Sequence, residues 1–178
     1  FLKNTKNHFY FYVEATQKSE ILNYLSKSVE EQLGEKVIFK DFYEFLNYIG
    51  DKAEKESFVL VIDEFQRFLD IAPEYISSLQ NAWDSKLKHK KILILLLGSS
   101  IGMIQKIMNN KAGALYGRAQ KIKISPFKYS DFRLMFKEMP EEDKVMTYYV
   151  FGGTPDYLDK FKKSKGDIYE RIYEIVLK

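Results

Sequence analysis

Two adjacent carboxylates, Asp63 and Glu64, follow the apolar run Phe58-Val59-Leu60-Val61-Ile62 and lead into Phe65-Gln66. Such a run reads as a strand buried on both faces, which is a rigid post. The first carboxylate past its end, Asp63, can hold a Mg²⁺ ion through a water at a fixed place beside a triphosphate. Its neighbour Glu64 can orient or deprotonate an attacking water. Taken alone, the pair would serve equally well as the solvated rim of a core sheet, so its meaning rests on what accompanies it.

Three further segments accompany it. Ile92-Leu93-Ile94-Leu95-Leu96-Leu97 is a second buried strand pattern, and it ends in Gly98-Ser99-Ser100. A serine at that end can hydrogen-bond a terminal phosphate or an attacking water. A strand-to-helix turn, with Gly98 for the bend and Ser100 as the cap of a helix from Ile101, uses the same residues without a ligand. Gly113-Ala114-Leu115-Tyr116-Gly117-Arg118 reads as a tight loop that presents Arg118 at the rim of the sheet. Its guanidinium could grip a phosphate bidentately or meet transition-state charge, or it could simply be an exposed surface arginine. Val150-Phe151-Gly152-Gly153-Thr154-Pro155-Asp156-Tyr157-Leu158 breaks two amphipathic helices, with glycine ending one and proline starting the next.

In this order the four segments resemble the archaeal ATPase family within the STAND class of P-loop NTPases, over residues 9 to 160. The family carries a hydrophobic-Asp-Glu-Phe-Gln box (Walker B), a Leu-Gly-Ser-Ser strand end, a Leu-Tyr-Gly-Arg loop and a Gly-Gly-X-Pro-X-Tyr-Leu turn. The resemblance implies an α/β fold with a P-loop NTPase-like parallel sheet of the additional-strand (RecA/AAA-like) type, followed by a small helical subdomain. It implies ATP and Mg²⁺ as cofactors. Asp63 would serve the metal and Glu64 the water, with Ser99, or its neighbour Ser100, as the sensor. Arg118 would contact phosphate, and Gly153-Thr154-Pro155 would pack against the adenine. The function implied is Mg-dependent ATP hydrolysis by a regulatory ATPase, coupled to movement of the helical subdomain.

The elements that must position these residues are legible from periodicity. Strands are expected at His8 to Glu14, Phe58 to Ile62, Ile92 to Leu97 and Lys121 to Ile124, with helical patterns between them. Ser19 to Leu33 carries an apolar stripe and stops at Gly34. Asp41 and Glu44 form a capping box ahead of Phe42, Phe45, Leu46 and Ile49. Pro73 suits the first turn of a helix that ends in the basic run Lys86 to Lys91, where cations favour a helix C-terminus. After Pro126-Phe127 only helices are expected: Ser130 to Lys137, Glu141 to Phe151, Pro155 to Phe161 and Asp167 to Leu177. The chain is therefore expected to divide into a partial NTPase core, 1–127, and a helical subdomain, 128–178, with an incomplete C-terminus expected for the latter.

Composition narrows the alternatives. The 178 residues are 46% hydrophobic and 30% charged, with 28 basic against 25 acidic side chains, so charge provides no warrant for nucleic-acid or membrane binding. The lysine-rich, cysteine-free bias would suit a thermophile or an AT-rich genome. Zero cysteines and two distant histidines exclude disulfides and a zinc cluster. No apolar run is long enough to span a bilayer, and a cytoplasmic protein is expected. No Gly-X-X-X-X-Gly-Lys-Ser/Thr occurs. Phe1-Leu2-Lys3 looks like the tail of the helix that follows such a loop, so a native protein longer at its N-terminus is expected. The family's missing strand would lie between Ile92–Leu97 and Lys121–Ile124, and without its phosphate cradle the 178-residue chain should bind ATP poorly. A homo-oligomer or protein partner is compatible with this picture, as is DNA reached through domains outside the chain. A catalytically inactive interaction scaffold is the second reading, and a nucleic-acid module using Lys86 to Lys91 and the tyrosines is the third.

Overall fold

The structure is a computed structural model and describes residues 5–14, 17–109, 113 and 115–177. The expected helix tail at Phe1-Leu2-Lys3, and Ala114 of the arginine loop, lie outside the described residues. The chain forms two compact units, Phe1–Lys121 and Ile122–Lys178.

The first unit is α/β. Its elements run β1 (His8–Tyr12), α1 (Lys18–Leu33), α2 (Phe42–Lys55), β2 (Phe58–Asp63), the short α3 (Phe68–Ile71), α4 (Glu74–Ser85), β3 (Ile92–Leu96) and α5 (Ile101–Asn109). The strands form one parallel sheet in the order β1-β2-β3, with Phe9 beside Leu60 and Leu60 beside Ile94. Phe58 to Ile62 of the central strand are all buried, which is why that run carries no polar residue. Gly34 ends α1 in the left-handed region at φ 71°, its N–H donating to the Glu30 carbonyl, the αL stop that glycine takes without strain. Asp41 caps α2 by accepting from the Glu44 N–H at 2.7 Å, while Glu44 reaches back to the Lys40 N–H. Aromatic rings fill the space beside the sheet. Phe42 stacks on Tyr75 with centroids 4.6 Å apart, and Phe65 and Phe68, just past the carboxylate pair, join the same cluster.

Two basic residues of the Lys86 to Lys91 run are engaged across the surface. Lys86 pairs with Asp51 and Lys90 with Glu54, both at 2.5 Å and both on α2, so these two cations pin α2 to the end of α4.

The sheet edges differ. On β1, the side-chain amide of Gln32 from α1 accepts from the Tyr10 N–H and donates to the Tyr10 carbonyl, as a neighbouring strand would. On β3, all five residues are apolar yet none is fully buried, and Leu93 is 48% exposed. The fourth expected strand, Lys121 to Ile124, is not one: it runs as unpaired coil with Ile122 77% and Ile124 90% exposed. An isolated segment cannot form a ladder, and no strand lies beside it among the described residues.

The second unit is helical, with α6 (Tyr129–Met135), α7 (Glu141–Phe151), α8 (Pro155–Lys163) and α9 (Ile168–Leu177) around Phe132, Phe151, Leu158 and Phe161. The coil ahead of α6 is tied to this unit, since the Phe127 N–H donates to the Gly153 carbonyl and the Tyr148 hydroxyl to the Phe127 carbonyl, both at 2.9 Å.

Candidate functional site

The ladder continues past the formal strand ends and gathers three of them around residues 62 to 65. The Val13 N–H donates to the Asp63 carbonyl, the Leu97 N–H to the Ile62 carbonyl and the Phe65 N–H to the Leu97 carbonyl. Between these ties Glu64 turns the chain at φ 55°, ψ 35°, the left-handed region that a residue with a Cβ enters only at a cost. Buried Phe65 and Phe68 anchor the chain beyond the turn, and the Asp63 side chain accepts from the Glu64 N–H at 2.8 Å.

This turn sends the two carboxylates to different neighbours. Asp63 Oδ2 accepts from the Tyr10 hydroxyl of β1 at 2.6 Å. That bond, with burial second, pushes the Tyr10 phenol up to about 12. Glu64 Oε2 accepts from Gln66 Nε2 at 2.6 Å and from the Ser99 hydroxyl at 3.1 Å. Ser100 opens α5, its carbonyl accepting from the Ile104 N–H. Of the two sensor candidates, Ser99 is therefore the one that touches the carboxylate pair, while Ser100 starts the helix as the turn alternative requires.

Arg118 takes a different partner. Its Nε and Nη2 grip both oxygens of Asp84, at 2.9 and 2.7 Å, and Nη1 donates to the Tyr116 carbonyl. The Arg118 bond holds the Asp84 carboxyl below its usual range. The fork expected to face a phosphate is thus closed on a carboxylate at the end of α4. The Gly153-Thr154-Pro155 turn lies in the helical unit. Gly152 takes φ 58°, a backbone conformation that favours glycine, and a Cβ on Gly153 would overlap the Phe127 backbone, so conformation accounts for the first glycine and packing for the second. Thr154 and Pro155 are exposed.

The donor set around Asp63 and Glu64 fits Mg²⁺. It is all oxygen, and each Asp63 oxygen accepts one hydrogen bond, which leaves capacity for a coordinated water. Among the described residues no cluster of three or more His, Cys, Asp or Glu could hold a metal unaided. Mg²⁺ is commonly held by one or two carboxylates plus phosphates, without a dedicated cage.

Sequence pattern alone assigned no role to Tyr10 or Asp84, and named Gln66 only as part of the Asp-Glu-Phe-Gln box. Alternation along β1 puts Tyr10 on the face opposite Phe9 and Phe11, and its register beside Val61 sets it on Asp63's face. The alternation was legible in the sequence, whereas the register is set by folding. For Asp84 no local signal exists, because Arg118 lies 34 residues away.

The chain is similar to known proteins. The model of a family described as an ATPase domain predominantly from Archaea matches residues 1–161. An uncharacterised protein of Methanocaldococcus jannaschii is 31% identical over 163 residues, 90% of this chain and 35% of its own length. A protein of the same organism, described as an uncharacterised ATP-binding protein, is 26% identical over 176 residues, 83% of this chain and 47% of its own length. The chain thus spans less than half the length of either relative. Among solved structures, a Walker-type ATPase of Pyrococcus abyssi superposes with a TM-score of 0.71 at 18% identity, over 97% of this chain and 60% of that one.

Proposed function

The chain belongs to the family of ATPase domains found predominantly in Archaea, and from that premise we propose that it is the Walker B half of an ATP-hydrolysing site in a STAND-like regulatory ATPase. The observation that carries this reading is the pair Asp63-Glu64 at the end of a buried central strand, with Glu64 in contact with Ser99 from the turn that follows β3. The strand order β1-β2-β3 and the open β3 edge support an additional-strand sheet whose phosphate cradle, absent from the 178 residues, is supplied by chain outside them. The relative described as ATP-binding supports nucleotide as the ligand.

In this proposal Asp63 would hold Mg²⁺ through a water, and Tyr10 keeps its carboxylate in place. The bound ion would neutralise charge on the phosphates. Glu64 accepts a proton from, or orients, the attacking water, and Ser99 hydrogen-bonds the same water or the terminal phosphate. Arg118 contacts phosphate only on exchanging Asp84 for it. Gly153-Thr154-Pro155 lies against the adenine, and nucleotide state shifts the helical unit.

The test is ATP turnover by a polypeptide that carries this domain together with a phosphate cradle. Glu64→Gln should reduce turnover by about a hundred-fold or more while ATP still binds. Turnover that survives the substitution sinks the assignment, and ATP binding without any turnover in the wild type favours the inactive scaffold. The isolated 178-residue chain should hydrolyse ATP negligibly.

A further inference from the structure

Gln66 stands beside the carboxylate pair without an assigned role. It is 3% exposed, and its Nε2 donates to Glu64 Oε2 at 2.6 Å. Its Oε1 has no hydrogen-bond partner among the described residues. Burying a carboxamide half-paired is unfavourable, so something must hold it there. Glu64 accounts for the orientation: an ionised carboxylate only accepts, so the NH₂ end of Gln66 must face it and the carbonyl end is left over.

The leftover Oε1 lies against Gly98. A Cβ at Gly98 would overlap Gln66 Oε1 and come within 2.8 Å of Ile104 Cδ1. Gly98 is not among the glycines with positive φ, so its backbone does not demand glycine; the space does. The end of β3 therefore omits a side chain where the turn after β2 places an amide.

We propose that Gln66 is a positioning residue for Glu64: its buried amide fixes the Glu64 carboxylate beside Ser99, and Gly98 supplies the room that amide requires. This rests on Glu64 acting on water, a role in which small misplacements are costly. Without Gln66 the Glu64 carboxylate retains the Ser99 hydroxyl but loses its shorter hydrogen bond.

Two measurements test it. In the 178-residue chain, the side-chain amide hydrogens of Gln66 should exchange with solvent about ten-fold or more slowly than those of exposed Gln105, and Glu64→Ala or Gly98→Ala should abolish the difference. In the cradle-bearing polypeptide, Gln66→Leu and Gly98→Ala should each lower kcat by roughly ten- to a hundred-fold with KM for ATP changed by less than about two-fold. The double variant should be little worse than either single one. Exchange as fast as that of Gln105 overturns the contact. An unchanged kcat in Gln66→Leu, with Glu64→Gln inactive, overturns the positioning role while the ATPase reading stands. A wild type that does not hydrolyse ATP overturns the ATPase reading, and with it any part for Gln66 in a reaction.

Discussion

Asp63 and Glu64 are adjacent in the chain yet serve opposite sides of it, because the left-handed backbone at Glu64 interrupts the strand between them. Asp63 stays in register with β1 and meets Tyr10, while Glu64 is turned toward the end of β3 and meets Ser99 and Gln66. Glycines work at the same scale by omission. Gly153 approaches Phe127 so closely that a methyl group has no room, so Gly153→Ala should destabilise the helical unit by about 1–3 kcal/mol, read from urea unfolding. An unchanged midpoint would show that the coil before α6 can step aside. The Gly-Gly-X-Pro motif was visible in the sequence as a helix break. That its second glycine makes room for Phe127 was not, since the two residues are joined only by folding.

Elements are stabilised by devices of different legibility. The cap at Asp41 is local, three residues from the Glu44 N–H that donates to it, and sequence pattern alone located it. Replacing Asp41 with alanine should cost about 1 kcal/mol, measurable as a lowered thermal midpoint. The sheet edges are not local. Gln32 occupies the backbone groups of Tyr10 on β1 from 22 residues away, whereas β3 presents Leu93 on an edge that no strand covers among the described residues. An open apolar edge invites another strand. The 178-residue chain should therefore self-associate as its concentration rises, and Leu93→Lys should shift it toward monomer in size-exclusion chromatography. Equal elution of both proteins at every concentration would count against an adhesive edge. Pairing also decides the fate of Lys121 to Ile124, whose alternating isoleucines read as a strand but find no ladder to join.

At the scale of the molecule, acidic groups distributed over the α/β unit share one electrostatic trend. Glu35 is lowered by Lys52 and then Tyr48, Glu74 by Lys18 and Asp84 by Arg118. A carboxylate lowered on folding contributes stability that is present above its ordinary range, near pH 4, and is lost as pH falls through the lowered value. The melting temperature should thus drop between about pH 5 and pH 3, and added salt should narrow the difference because these pairs lie near the surface. No helix among the described residues is long and apolar enough to cross a membrane.

Local pattern was enough to show that a buried strand delivers two carboxylates to its end, that a second apolar strand ends in serines, and where most helices start and stop. These are short-range properties, set by periodicity, capping and the need of backbone groups for partners within a turn or two. Folding over distance was needed to bring Ser99 rather than Ser100 to Glu64, to close Arg118 on Asp84, to fit Gln66 against Gly98 and to leave Lys121 to Ile124 unpaired. Each of those depends on residues about 30 positions apart, or on a strand neighbour that must be there, and no local pattern records which distant group will arrive.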